Sequence, residues 1–197
     1  MQQQELITKH LHETGGIITS SWCRQNNIPT IYLSRMVKAG SLEQVDKGLY
    51  LSTEDSNYDE FFIFQHRYSK TIFSYETALY LLGLTDKIIQ NLEVTVKNHY
   101  KFNGTPQNVT IHYVNDDLFT LGAIEIKTPY GNIVRTYSAE RIVCDFIKNK
   151  DKCDIEVYVK LLKAFSQMES KDLNLLGSIA AKMGITEKVR AALEVLI

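Results

Sequence analysis

An excess of either charge is what this chain most lacks: 22 Lys and Arg stand against 23 Asp and Glu, for a formal net charge of -1. That excludes a polycation gripping nucleic acid with its whole surface, so any phosphate-binding surface has to be a local patch. No segment dominates. Residues 1–52 carry five basic side chains and four acidic ones, residues 53–137 seven and ten, and residues 138–197 ten and nine. Cysteine is scarce, and the spacing of Cys23, Cys144 and Cys153 fits neither a disulfide framework nor a structural zinc site. With 3 Pro and 10 Gly, the chain is neither collagen-like nor linker-rich. It has no run of 18 apolar residues, and Met1-Gln2-Gln3-Gln4-Glu5 is not a basic segment followed by an apolar one. A cytoplasmic chain that neither crosses nor binds a membrane is the expectation.

What is present is 44% hydrophobic residues in 197, enough for two cores of unequal size. Residues 2–13 predict a first helix with Leu6, Ile7 and Leu11 on one stripe, stopped by Gly15-Gly16. Thr19, Ser20 or Ser21 caps a short helix through Trp22 to Asn26, and Asn27-Ile28-Pro29 forms a turn. A third helix runs from Thr30 to Ala39 and ends at Gly40. Leu42, Val45, Leu49 and Leu51 then mark two short strands around the polar turn Asp46-Lys47-Gly48. Three helices followed by a hairpin predict a winged helix-turn-helix over residues 1–52, which places the third helix in a DNA major groove.

Thr53 to Asn57 reads as a polar linker, and residues 57–197 as a second, α+β domain. It begins with an apolar helix at Phe61, Phe62, Phe64 and Tyr68, then a helix capped by Ser74 and ending at Gly83. Strands are predicted at Leu92–Lys97, Val109–Val114, Ala123–Lys127 and Ile133–Tyr137, forming a small antiparallel sheet. A helical bundle closes the chain. Its first helix is capped by Ser138, and three more contain Ile155 to Phe165, Leu173 to Met183 (starting at Ser170), and Val189 to Leu196 (starting at Thr186).

On the third helix Leu33, Met36 and Val37 share one side, while Ile31, Ser34, Arg35 and Lys38 share the other. Arg35 suits the edge of guanine, Ser34 several base edges, and Ile31 a thymine methyl. Lys38 and Lys47, at the wing tip, suit phosphates, which position without specifying. Thr19, Ser21 and Thr30 at helix starts are further candidate phosphate contacts, though as caps they need no ligand. Lys87, Lys97, Lys101, Lys127 and Arg135 extend a basic strip if their strands share an exposed face.

A competing reading is enzymatic: Asp117, Glu125 and Lys127 have a spacing reminiscent of metal-dependent nucleases, in which two acids hold Mg²⁺ and a lysine orients water. Alternation on a half-exposed strand also produces Glu125 and Lys127 with no catalytic purpose. There is no phosphate-cradling glycine loop, zinc-protease helix or nucleophile elbow, so no cofactor or catalytic residue is expected. His10, His12, His66, His99 and His112 are scattered, and Cys144 sits beside an apolar stripe as a small core residue. A third reading is an interaction module presenting the last three helices to a partner protein.

In order along the chain, Gly15-Gly16-Ile17-Ile18-Thr19, Lys47-Gly48-Leu49-Tyr50, Ser74-Tyr75-Glu76-Thr77-Ala78-Leu79 and Tyr137-Ser138-Ala139-Glu140-Arg141-Ile142-Val143-Cys144-Asp145 give a whole-chain pattern. It resembles the AbiEi antitoxins of bacterial abortive-infection, type IV toxin-antitoxin systems. The resemblance implies a winged-helix autorepressor that binds inverted repeats in its own promoter by cooperative occupation of two half-sites. It also implies a C-terminal domain that counteracts a nucleotidyltransferase-like toxin encoded beside it, without a stable complex between the two. It assigns no catalytic residue.

Overall fold

The structure, a computed structural model, describes residues 2–54, 58–104 and 106–194, without the side chain of Gln2. It divides the chain into two compact units, residues 1–69 with 126–134, and residues 70–125 with 135–197. The expected boundary between residues 52 and 57 falls inside the first unit, and the Asp55-Ser56-Asn57 part of the expected linker lies outside the described residues.

The first unit opens with α1 (Gln2–Glu13), β1 (Ile17–Thr19), α2 (Ser20–Gln25) and α3 (Ile31–Lys38). On α1 the i, i+4 pair Ile7 and Leu11 takes the core. Leu6, expected on the same stripe, is 47% exposed, because one residue along a helix turns the side chain by about 100°. Thr19 caps α2 by accepting from the Trp22 N–H, and Thr30 occupies the cap position of α3. The chain then forms the hairpin β2 (Leu42–Asp46) and β3 (Leu49–Ser52), as its turn residues dictate.

β1 is an addition to the expected hairpin: it pairs antiparallel with β3, Ile17 opposite Leu51 and Thr19 opposite Leu49, in a sheet of order β1-β3-β2. Both faces of this small sheet are covered. Ile18 and Leu42 join Ile7, Leu11, Cys23, Ile28 and Leu33 in one core, while Ile17, Leu49 and Leu51 look the other way. That second face receives Phe62 and Ile63 of α4 (Glu60–Arg67) together with Tyr58. The helix expected to open the second domain thus belongs to the first unit. The register of β2 on β3 shifts between Gln44 and Asp46, so Val45 is an inserted bulge residue.

A buried carboxylate fixes α4. Asp59, fully buried, caps it by accepting from the Phe62 N–H at 3.0 Å, and also accepts from the Thr128 hydroxyl and from Asn132 Nδ2 at 2.9 Å. Asn132 Nδ2 donates in addition to the Thr14 carbonyl. The 126–134 segment therefore counts with the first unit because its turn residues meet Asp59 and Thr14.

The second unit is built on β4 (Ile72–Phe73), α5 (Tyr75–Leu81), β5 (Leu92–Lys97), β6 (Val109–Val114) and α6 (Asp116–Phe119). The strands β7 (Ala123–Lys127) and β8 (Ile133–Tyr137) complete a five-stranded sheet of order β6-β5-β4-β8-β7. Its strands stand where the alternation predicts, but the sheet is mixed rather than antiparallel: β5 runs parallel to β6, and β4 parallel to β8. β4, a two-residue strand at the centre, is antiparallel to β5 and joins it to β8, while the parallel β5–β6 pair is made by the crossover between residues 97 and 109.

Against this sheet packs α7 (Ala139–Lys148), in which every residue from Ala139 to Ile147 is buried. α8 (Ile155–Gln167), α9 (Leu173–Lys182) and α10 (Thr186–Glu194) follow, the bundle that the apolar spacing predicts. α9 is capped by Asp172, whose carboxylate accepts from two N–H groups, rather than starting at Ser170; Leu196 lies outside the described residues. Among the described residues no helix is long and apolar enough to cross a membrane.

Candidate nucleic-acid interface

α3 divides as its periodicity requires. Leu33 is fully buried and Tyr32, Met36 and Val37 pack on the same core, whereas Ile31, Ser34, Arg35 and Lys38 are exposed. Ile31 shows 52% of its surface, an apolar side chain on an otherwise polar face. The Arg35 guanidinium lies 5.9 Å from the Tyr32 ring, a cation–π contact that orients the fork without consuming its donors. Behind α3, the imidazole of His10 stacks on Trp22 at 3.8 Å, holding α1 against α2.

The helix-start residues differ in their surroundings. Ser21 and Thr30 are exposed, and the Thr30 side chain makes no capping hydrogen bond. Thr19 is buried and its hydroxyl is already committed to the Trp22 N–H at 3.1 Å, so its role in this geometry is that of a cap.

Lys47 stands exposed at the hairpin turn beside Gly48, whose φ of +73° admits glycine readily. The turn is braced from α4: Arg67 Nε donates to Asp46 Oδ2 at 2.8 Å, and Asp46 Oδ1 accepts from the Lys47 N–H at 2.7 Å. The Arg67 hydrogen bond, helped by that N–H, holds the Asp46 carboxyl below the usual carboxylate range. His66 Nε2 lies 3.4 Å from the Lys47 carbonyl. Sequence reading missed Arg67 and His66, which stand about twenty positions beyond the turn they support. Arg24, exposed on α2, was also passed over.

The basic residues expected to form an accessory strip have separate fates. Lys87 pairs with Glu76 at 2.7 Å and Lys97 with Asp116 at 3.0 Å. Arg135 is half-buried and donates to the Thr71 carbonyl at 3.2 Å. Lys101 and Lys127 are exposed. Of the nuclease-like set, Glu125 and Lys127 share the exposed side of β7, but Asp117 sits on α6 rather than on a strand. Among the described residues no group of three or more His, Cys, Asp or Glu side chains could hold a metal ion.

The second unit contains a cavity of about 410 Å³ that sequence reading did not anticipate. Tyr75, Glu93, His112, Arg141, Asp145 and Asn149 are among its lining residues. They come from α5, β5, β6, α7 and the end of α7, so no local motif joins them. His112 Nε2 lies 2.7 Å from Glu93 Oε2, and the Tyr75 ring stacks on the imidazole at 4.0 Å. Asn149 Nδ2 donates to the Tyr75 hydroxyl at 2.8 Å. Burial, with the nearby Asp145 and Glu93 charges, pushes the Tyr75 phenol up. Arg141, 1% exposed, donates to Asp145 Oδ2 at 3.0 Å and to the carbonyls of Leu118 and Leu121. Burial pushes the Asp145 carboxyl up, against the opposing pull of Arg141.

No curated protein matches the chain. A family model does: residues 5–53, which span α1 to the end of β3, match the family described as transcriptional regulator, AbiEi antitoxin. The motifs at residues 74–79 and 137–145 lie outside that match. Over the helices and sheet that carry the exposed face of α3, the chain is thus similar to the AbiEi antitoxin transcriptional regulators, as the resemblance read from its residues implies.

Proposed function

We propose that the protein is a sequence-specific DNA-binding autorepressor and the antitoxin of a type IV toxin-antitoxin system, acting in the cytoplasm. In this reading residues 1–52 are a winged helix-turn-helix and the β2–β3 hairpin is its wing. The observation that carries it is the outward side of α3: four exposed side chains of base-reading and phosphate-binding type on a helix whose other side is anchored in a core. The match over residues 5–53 supports the regulatory role.

Arg35 and Ser34 read base edges, Ile31 meets a thymine methyl, and Lys38, Lys47, Ser21 and Thr30 take phosphates. Two protomers occupy the halves of an inverted repeat in the promoter, and cooperation between them offsets the small charge of each. The role toward a nucleotidyltransferase-like toxin is functional antagonism without a stable complex of the two proteins.

Footprinting on the DNA upstream of its own gene, at two salt concentrations, tests this. A symmetric protected site is expected. Arg35→Ala should cost about 1–3 kcal/mol, concentrated at one base position. Lys47→Ala should weaken all sequences alike. An unprotected promoter, or full protection by both variants, overturns the assignment.

A further inference from the structure

The cavity of the second unit has a graded charge. Its most enclosed basic and acidic side chains are those of Arg141 (1% exposed), Asp145 (7%), Glu93 (18%) and His112 (28%). Arg141, itself a lining residue, has its Nε engaged with Asp145 and its Nη1 with the Leu118 and Leu121 carbonyls. Arg141 and Asp145 pair with one another at 3.0 Å, which leaves the Glu93 carboxylate, 2.7 Å from His112 Nε2, as the remaining inner acidic group. At the rim stand Lys148, Lys152 and Asp154, all exposed, and Asp154 is engaged in capping α8 through the Glu156 N–H. Neither lysine forms an ion pair among the described residues. Glu76, the remaining charged lining residue, is neutralised by Lys87 at 2.7 Å. The rim therefore carries one net positive charge. The lining also includes the apolar side chains of Val114, Leu118, Phe146 and Met183.

The backbone shows that the arrangement is imposed. Tyr75 adopts φ +46° at the first position of α5, an uncommon conformation for an aromatic residue. It places the ring on His112 and the hydroxyl on Asn149. At about 410 Å³, the volume falls in the range of small-molecule sites.

We propose that this cavity binds a small zwitterion whose cationic and anionic ends are separated by a short apolar spacer, of the ω-amino carboxylate class. The ammonium sits inward, against Glu93, Asp145 and the Tyr75 hydroxyl. The carboxylate sits at the rim with Lys148 and Lys152, and the spacer lies along the apolar side chains of the lining. Each end meets a net charge opposite to its own, and neither a plain amine nor a plain carboxylate satisfies both. The site lies wholly in the second unit and stands whether or not the first unit binds DNA.

Calorimetric titration of the full chain with 6-aminohexanoate, hexylamine and hexanoate tests the assignment. The zwitterion should bind about tenfold more tightly than either singly charged analogue, as one lost charge-assisted contact implies. Glu93→Gln keeps a hydrogen-bonding partner for His112 and should lower the zwitterion's affinity about tenfold, leaving hexanoate unaffected. The exposed double variant Lys148→Ala, Lys152→Ala should reduce the zwitterion to the affinity of hexylamine. Circular dichroism melts of the variants separate unfolding from loss of contact. Equal binding of all three compounds, no heat from any at millimolar concentration, or full zwitterion affinity in a folded Glu93→Gln or double-lysine variant overturns the proposal.

Discussion

Replacing Asp59 by alanine should loosen the whole first unit, although the residue is distant from α3 in sequence. The carboxylate is fully buried and accepts from the Phe62 N–H, Asn132 Nδ2 and the Thr128 hydroxyl. Loss of the helix cap costs about 1 kcal/mol. Thr128, only 4% exposed, loses its carboxylate acceptor, at about 1–2 kcal/mol. Asn132 keeps the Thr14 carbonyl and suffers less, about 0.5–1 kcal/mol. Relief of carboxylate desolvation offsets part of this, for a net loss of about 3 kcal/mol. With a slope of about 2 kcal/mol/M, the urea midpoint should fall by about 1.5 M. Trp22, the chain's one tryptophan, lies in this unit, so its fluorescence reads the transition directly. Asp59→Asn retains one acceptor and should lose about half as much. A change below about 0.5 kcal/mol in the alanine variant would show that the knot does not hold α4 in place.

Burial holds the His10 imidazole below 6.5, with Glu13 pulling the other way. Stability of the first unit should therefore be full above pH 6.5 and decline as pH falls through the lowered folded-state value, and His10→Phe should flatten that decline in urea titrations read at Trp22. Gly122 has φ +75°, and a Cβ there would stand 2.6 Å from Arg141 Cβ, whereas Gly83 has φ +68° in open space. Gly122→Ala should cost roughly 2 kcal/mol or more in thermal unfolding and Gly83→Ala about 1, equal losses arguing against the clash. If Arg24, Lys38 and Lys47 each neutralise one phosphate, log affinity against log salt should have a slope of about -3 per protomer, and a slope near zero would remove all three contacts.

The parts legible in the sequence are those with a period long enough to register. The apolar spacing of α1, α3, α7 and α8 and the alternation of β5 place those elements, and the outward side of α3 followed from the same wheel. β1 and β4, at three and two residues, are too short to alternate, yet β1 completes one sheet and β4 divides the other. The allegiance of α4 was illegible because its apolar residues reveal that it packs but not on what. The packing of Phe62 and Ile63 on Ile17, Leu49 and Leu51 decides that, and the Asp59 contacts to residues 128 and 132 add a second tie across about seventy positions. Ser74 illustrates a right residue with a different role: it precedes α5, but its hydroxyl caps nothing and has no hydrogen-bond partner among the described residues, because Tyr75 turns the backbone to positive φ. The cavity was unreadable for a related reason, since its charges meet only after four elements pack.

A unit with nearly balanced charge presents a basic face only if its acids are spent or turned away, and both occur. Asp46 is held by Arg67, Glu13 lies 3.8 Å from Lys9, and Asp59 is buried. Glu43 stands opposite Leu51 on β3, so strand parity points it to the side of the sheet that receives α4, away from the core shared by α1 and α3. Arg24, Arg35, Lys38 and Lys47 are exposed and form no ion pairs among the described residues. The bulge at Val45 increases the local twist of β2, and the Arg67 contact ties the resulting turn to α4. The hairpin thus holds Lys47 in a defined place, on a unit where Arg24, Arg35, Lys38 and Lys47 stay exposed while Asp46 is paired with Arg67 and Asp59 is buried.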